Sequence, residues 1–419
     1  MRFIHAADLH IDSPLRGLDR YDGAPVARLR TATRSAFERL VDRALAELVD
    51  FVLFAGDIYD CDWQDFRTGL FFREQLVRLG RAGIRVFIVQ GNHDAQGVIS
   101  KQLVLPQHVT VFSSRSAQTI RLDDLSVAIH GRSFPERAVD EDLVPSYPSP
   151  VSGYFNIGVL HTSLTGRAGH DTYAPTDLPT LINKGYDYWA LGHVHARELL
   201  CERPRVLFPG NLQGRHAKET GAKGCELVTV EAGRVESEFL PLDVVRWSQV
   251  AVPLDGIHRL DSLGEAFRQA LEPVLAGARD RLHAVRVTLT GTTDLQRVEA
   301  SQPGTLAAAM HGAAQDIGEA EIWIEQVRLD LSTPLDRART AERQDAVGEL
   351  VRLVDSIVGD EAELRRLAQS ELGDLFGAVP QEAAAGDVPR LDDPVELKSL
   401  LMDAEATVLA RLTDSGGDR

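Results

Sequence analysis

The chain has 419 residues, 44% of them hydrophobic and 26% charged, which suits a soluble globular protein of about two to three domains. That composition excludes a collagen-like, mucin-like or wholly disordered chain. The net charge of −17 is a poor match to a polyanion, but residues 335–419 hold 10 basic and 19 acidic residues, so the rest leaves room for a local DNA-binding groove.

The first 240 residues alternate strand-like and helical patterns. Apolar runs at Arg2–Ala7, Phe51–Ala55, Val86–Val89, Val127–His130, Ile157–Leu160 and Tyr188–Leu191 predict strands. Leu29, Phe37, Leu40, Val41, Ala44, Leu45 and Leu48 recur at helical spacing between the first two, and Phe71, Leu76 and Leu79 mark a second helix. Strand–helix–strand order predicts parallel pairing in one α/β sheet, with functional residues at the carboxyl ends of its strands. From Val244 to Ser332 the pattern is βαβαβ: strands at Trp247–Leu254, Ala284–Leu289 and Glu321–Leu331, helices at Ser262–Ala276 and Gly304–Ile317. Two helical stripes follow, Val347–Val358 and Leu397–Leu412, separated by an Ala-, Gly-, Pro- and Asp-rich linker at 377–394. These divisions predict domains at 1–243 and 244–334 and a helical region at 335–419.

No run of about 18 apolar residues predicts a membrane span, and the first residues do not read as a signal peptide. Cys61, Cys201 and Cys225 show no paired spacing, which predicts a reducing, cytoplasmic setting.

Five blocks carry chemistry: AADLH with Asp8 and His10, AGDIYD with Asp57 and Asp60, QGNHD with Asn92 and His93, VLHTS with His161, and LGHVH with His193 and His195. Each follows a strand-like run. Imidazole, carboxylate and amide oxygen without thiolate suit a borderline divalent ion such as Mn²⁺ or Zn²⁺. Two such ions about 3.5–4 Å apart can clamp the attacking and leaving oxygens of a phosphoryl displacement, with a carboxylate as the bridge.

The five blocks resemble the signature of the calcineurin-like metallophosphoesterases. The resemblance implies a metallophosphoesterase β-sandwich flanked by helices, of mixed α/β (α+β) class. By motif position Asp8, His10, Asp57 and His195 would hold one ion. Asp57 as bridge, Asn92, His161 and His193 would hold the other. His93 would face the scissile phosphate and protonate the leaving oxygen. The stretches RFIHAADLHIDSPLRGL, FAGDIYDCDW, LHTSLTGRAGHDTYAP and PGNLQGRHAKETGAKG resemble the SbcD-type DNA repair nucleases, and within them the YhaO-type exonucleases. That resemblance implies two divalent ions, expected to be Mn²⁺, DNA as substrate, an SMC-like ATPase of the SbcC or YhaN type as partner, a small βαβαβ capping domain and C-terminal helices that could dock on the ATPase. It admits a homodimer and involves no membrane. Related double-strand-break nucleases carry His where Asp60 stands. An Asp there resembles the protein phosphatases of the same superfamily, in which it orients the His of Gly–Asn–His.

The expected function is a two-ion phosphodiesterase acting as a DNA repair exonuclease. The alternatives are a metallophosphatase or cyclic-nucleotide phosphodiesterase for small substrates, and a non-cutting subunit that binds DNA ends or the ATPase. Arg16, His170, Arg215 and His216 are candidate substrate contacts, and Lys218 and Lys223 share the Gly-rich stretch with the last two. His5 is expected to be packed within the first strand, and Cys61 to be inert.

Overall fold

The computed structural model describes residues 1–13, 24–60, 66–96, 103–165, 173–317, 321–334, 337–377 and 390–414. The chain forms two compact units, Met1–Gln249 with Ala278–Val285, and Val250–Gly277 with Arg286–Arg419.

In the first unit the strands are β1 (Arg2–Ala6), β2 (Phe51–Ala55), β3 (Arg85–Val89), β4 (Val109–Val111), β5 (Gln118–Leu122), β6 (Val127–Gly131), β7 (Phe155–His161), β8 (Tyr188–Gly192), β9 (Glu198–Glu202), β10 (Arg205–Phe208), β11 (Gly224–Glu231) and β12 (Arg234–Pro241). The helices are α1 (Val26–Ala46), α2 (Phe66–Arg81) and α3 (Leu178–Asn183). One six-stranded sheet has the order β12-β11-β1-β2-β3-β4, the other β5-β6-β7-β8-β10-β9. Strands β1 to β4 pair in parallel, as do β6, β7, β8 and β10, while β5, β9, β11 and β12 pair antiparallel with their neighbours.

Period-two alternation builds three apolar layers. Phe3, Phe51, Leu53 and Phe87 point between the sheets, against Ile129, Ile157, Val159 and Tyr188. Their neighbours Ile4, Val52, Phe54 and Ile88 point the other way, against Phe37 and Leu40 of α1 and Phe72 and Leu76 of α2. On the outer face of the second sheet Leu160, Trp189, Leu191 and Phe208 pack with Leu181 and Tyr186. The mixed α/β architecture with helices flanking a pair of sheets is as the sequence predicts. The single sheet is corrected: the β7 and β8 blocks stand on a second sheet. The turn-rich, partly polar segments that separate β6 from β3 in sequence leave no apolar period to reveal the break.

β13 (Val245–Pro253), β14 (Leu282–Thr292) and β15 (Glu321–Ser332) form a three-stranded sheet. Within the second unit α4 (Leu263–Leu275), α5 (Leu295–Ser301) and α6 (Thr305–Asp316) follow, with Phe267, Leu271 and Met310 buried. Arg286 and Glu325 make a buried bidentate pair at 2.8 Å for each bond. The chain continues as α7 (Arg337–Ala341), α8 (Ala346–Gly359), α9 (Glu361–Gly377) and α10 (Pro394–Asp414). Helix α10 packs on α5, α8 and α9. Leu397 meets Leu364 and Ala368, and the buried Glu405 carboxylate accepts from Arg337 at 2.6 Å. Further along the same stripe Val408 and Leu412 are exposed. No helix of the described residues is long and apolar enough to cross a membrane.

Candidate metal centre

The loops that leave the carboxyl ends of β1, β2 and β3 in one sheet, and of β7 and β8 in the other, carry all five motif blocks. Asp8, His10, Asp57 and His193 have φ of 52°, 42°, 52° and 103°. Left-handed backbone in a non-glycine residue costs about 1–3 kcal/mol and is held where surrounding structure fixes it. Here the fixing bonds are visible. Asp8 N donates to Gly56 O and His10 N to Asp57 O at 3.0 and 3.1 Å, which zips the first two loops together. His193 N donates to both Asp8 oxygens at 3.0 Å, and His93 N donates to Asp57 Oδ1 at 3.0 Å.

Two glycines make the approach possible. A Cβ on Gly56, whose φ is 100°, would lie 2.2 Å from His161 Nδ1. One on Gly91 would lie 2.3 Å from Asp57 Oδ1. With neither present, ligand-type atoms of Asp8, His10 and His195 fall within 4.8 Å of one another, and so do those of Asp57, His161 and His193.

Hydrogen bonding sets the tautomers. His10 Nδ1 lies 2.8 Å from Asp60 Oδ1, and His195 Nδ1 lies 2.7 Å from Glu219 Oε1. An ionised carboxylate only accepts, so each Nδ1 carries a proton, and Nε2 is the ring nitrogen that could offer a lone pair to an ion. Those two Nε2 atoms stand 3.2 Å apart. Lone pairs so close repel unless a proton or a metal cation lies between them. Likewise His161 Nδ1 donates to Ala55 O at 2.9 Å, which aims its Nε2 at Asn92 Oδ1, 2.9 Å away, and Asp57 Oδ2, 3.4 Å away. A mixed N and O donor set of this kind, with no thiolate, fits borderline divalent cations.

The protonation pattern agrees. Burial works against an ionised Asp57, but His161, His10 and His93 outweigh it and hold the carboxyl well below the usual range. Burial pushes Asp8 up to about 6 against the pull of His195 and His161. His161, despite burial, is raised to about 9 by Asp57.

Asp60 gathers four groups. Oδ1 accepts from His10 and lies 3.1 Å from His93 Nδ1, while Oδ2 accepts from Ser13 Oγ and, at 3.2 Å, from Arg215 Nη1. Burial lowers the pKa of His93, but the Asp60 hydrogen bond together with the charges of Asp57 and Asp60 outweighs it, so the net direction is upward.

The chain is 35% identical over 339 residues to the uncharacterized metallophosphoesterase YhaO of Bacillus subtilis strain 168, an overlap of 80% of this chain and 82% of that protein. This chain belongs to the YhaO family of metallophosphoesterases. Residues 1–197 of this YhaO-family chain match the calcineurin-like phosphoesterases, and residues 247–332 match the middle domain of metallophosphoesterase YhaO. It is also 28% identical over 276 residues to the DNA double-strand break repair protein Mre11 of Methanopyrus kandleri, covering 59% of this chain and 58% of that one. Among solved structures, a dimetal phosphatase from Danio rerio aligns with a TM-score of 0.37 and 10% identity over 57% of this chain and 95% of its own. Family membership makes the protein a phosphoester hydrolase of the metal-dependent type.

In this YhaO-family structure Asp8, His10, Asp57, Asp60, Asn92, His93, His161, His193 and His195 come together as one site. Arg215 reaches it too, with its guanidinium placed between Asp60 and Glu219. The His216 ring is largely exposed, 3.7 Å from Glu219. Lys223 is corrected from a phosphate-holding cation: it is buried and donates to the backbone carbonyl of His195 at 2.7 Å. Arg16, His170, Cys61 and most of the linker lie outside the described residues. His5 is buried as expected, with its ring nitrogens 3.0 Å from Tyr188 Oη and Leu191 O.

Two residues escaped the sequence reading. Asp94 accepts from the backbone N–H of Ile58, Tyr59 and Gly91, tying the second and third loops together. Its position directly after Asn92 and His93 was an available signal. Glu219 accepts from His195, Asn211 and the Arg215 backbone. It was the lone carboxylate in a cationic, Gly-rich loop, which was its only mark.

Proposed function

We propose that this protein is a two-ion phosphodiesterase that cleaves DNA from an end in the course of repair. The observation that carries the reading is the pair of Nε2 atoms of His10 and His195, 3.2 Å apart beside Asp8 and Asp57, with a second donor group of His161, His193 and Asn92 across Asp57. Asp8, His10 and His195 would hold the first ion, Asn92, His161 and His193 the second, and Asp57 both. Mn²⁺ suits these donors. When bound, such a pair supplies Lewis acidity at the phosphoryl oxygens and a nucleophile at neutral pH.

The chain's own residues do the rest. His93, partly exposed beside Asp60, holds a proton that the Asp60 bond favours, and gives that proton to the departing oxygen. Asp60 keeps the ring aimed by accepting from Nδ1. The similarity to Mre11 supports DNA as the substrate class. An SMC-like ATPase is the proposed partner, with the exposed Val408 and Leu412 on α10 as one place for it to dock. A phosphatase for small monoesters is the second reading, favoured by the Asp60–His93 pair.

The deciding experiment offers linear duplex and single-stranded DNA, bis-p-nitrophenyl phosphate and p-nitrophenyl phosphate to the purified chain with Mn²⁺. Release of nucleotides from linear DNA supports the proposal. Turnover of the monoester alone supports the second reading.

A further inference from the structure

We propose that Arg215 is a positioning residue for the first ion pocket, acting as a clamp between the two carboxylates that orient His10 and His195. This inference rests on the metal reading above and deepens it. His10 is aimed by Asp60 and His195 by Glu219, through Nδ1 contacts of 2.8 and 2.7 Å. These two carboxylates stand on loops 159 residues apart in sequence. Arg215 spans them. Its Nη1 donates to Asp60 Oδ2 at 3.2 Å, its Nη2 lies 3.5 Å from Glu219 Oε1, and its backbone N donates to Glu219 Oε2 at 2.7 Å. Asn211 Nδ2 holds the same Oε2 at 3.0 Å.

The geometry uses what a guanidinium has and an ammonium lacks, a rigid fork that can serve two carboxylates at once. It also neutralises part of the charge that two carboxylates bring beside a cluster already containing Asp8 and Asp57. The Arg215, Asp60 and Glu219 side chains keep only 16%, 18% and 8% of their exposure, so the clamp is held largely out of water. Among the described residues none of Arg215's hydrogen bonds reaches a ligand of the second pocket: His161 is oriented by the Ala55 carbonyl, Asn92 stands on the loop after β3, and His193, which shares its loop with His195, is held through its backbone by Asp8. The clamp therefore acts on one of the two ions.

The test is calorimetric titration of the metal-free chain with Mn²⁺ for the wild type, R215A, R215K and E219Q, with thermal melting of each metal-free protein as a control. Loss of an outer partner of a metal-bound histidine typically costs about 10–100-fold in affinity. The expected result is two binding events in the wild type, and in R215A and E219Q one of them weaker by that factor with the other unchanged. R215K should restore little, because one ammonium cannot span both carboxylates. Two wild-type binding events in R215A, with a raised KM for bis-p-nitrophenyl phosphate, would overturn the clamp and make Arg215 a substrate contact. Equal weakening of both events would overturn its selectivity. A melting temperature that falls while both affinities hold would also overturn it, leaving Arg215 a purely structural residue. A wild-type chain that binds no Mn²⁺ would instead remove the metal reading itself.

Discussion

Asp60→Asn separates proton delivery from ion binding. Asp60 Oδ1 serves two rings at once, His10 at 2.8 Å and His93 at 3.1 Å, and Oδ2 accepts from Ser13 and Arg215. An amide keeps one acceptor oxygen and turns the other position into a donor facing the Arg215 donors, so it cannot satisfy all four groups. Two losses follow. The first ion should bind about 10–100-fold more weakly, because His10 loses its orienting partner. At saturating Mn²⁺ that loss is masked and the second appears. His93 no longer has the hydrogen bond that raises its pKa, so the protonated fraction falls away at lower pH and the descending limb of the rate profile moves toward acid. An alkoxide leaving group needs the proton, and general acid catalysis is worth about 10²–10⁴-fold, whereas p-nitrophenolate leaves nearly unaided. Steady-state rates at saturating Mn²⁺ should therefore fall by about that factor on a dinucleotide and by far less on bis-p-nitrophenyl phosphate. His93→Ala should show the same substrate ratio, and the double variant should be less than additive. Equal losses on both substrates, or full additivity, would refute the shared proton.

Gly91→Ala places a Cβ 2.3 Å from Asp57 Oδ1, so titration should show weakened binding of both ions while circular dichroism shows a retained fold. Leu397→Ala removes a side chain only 2% exposed against Leu364 and Ala368, and should cost about 2–5 kcal/mol of second-unit stability in denaturant melts, with small-substrate turnover unchanged. His5 is held by burial to about 3, against 6.5 when unfolded. The unfolded chain therefore takes up a proton that the folded chain refuses, and stability falls as pH drops from about 6.5 toward 3. His5→Gln should flatten that slope by about one proton in urea melts across this window.

The ligand blocks were legible because their chemistry needs particular side chains at strand ends, and Asp, Asn and His after an apolar run are conspicuous there. The buried strands β1, β2, β3, β7 and β8 were legible for the same physical reason, since strands covered on both faces are continuous apolar runs. Edge strands were not. β9 is a short apolar run closed by a glutamate at each end, β12 alternates polar with apolar residues over much of its length, and β4 spans three residues, so neither periodicity nor length distinguished them from loops. Helix α9 carries its buried Leu364 and Ala368 among exposed charges, too thin a stripe to read without α10 beside it. Glu219 was hidden because hydrogen bonding to His195 is a tertiary fact: the two lie 24 residues apart, across β9, β10 and the loop that follows.

The central claim is that these loops build a phosphodiesterase site for two divalent ions. The most direct measurement is Mn²⁺ stoichiometry against turnover, titrating the chelator-stripped chain while following bis-p-nitrophenyl phosphate hydrolysis. The account predicts no hydrolysis without metal, activity rising to a plateau at two ions per chain, and loss of both binding events with Asp57→Asn. Full hydrolysis by the stripped protein, or a plateau at two ions that survives Asp57→Asn, would contradict it.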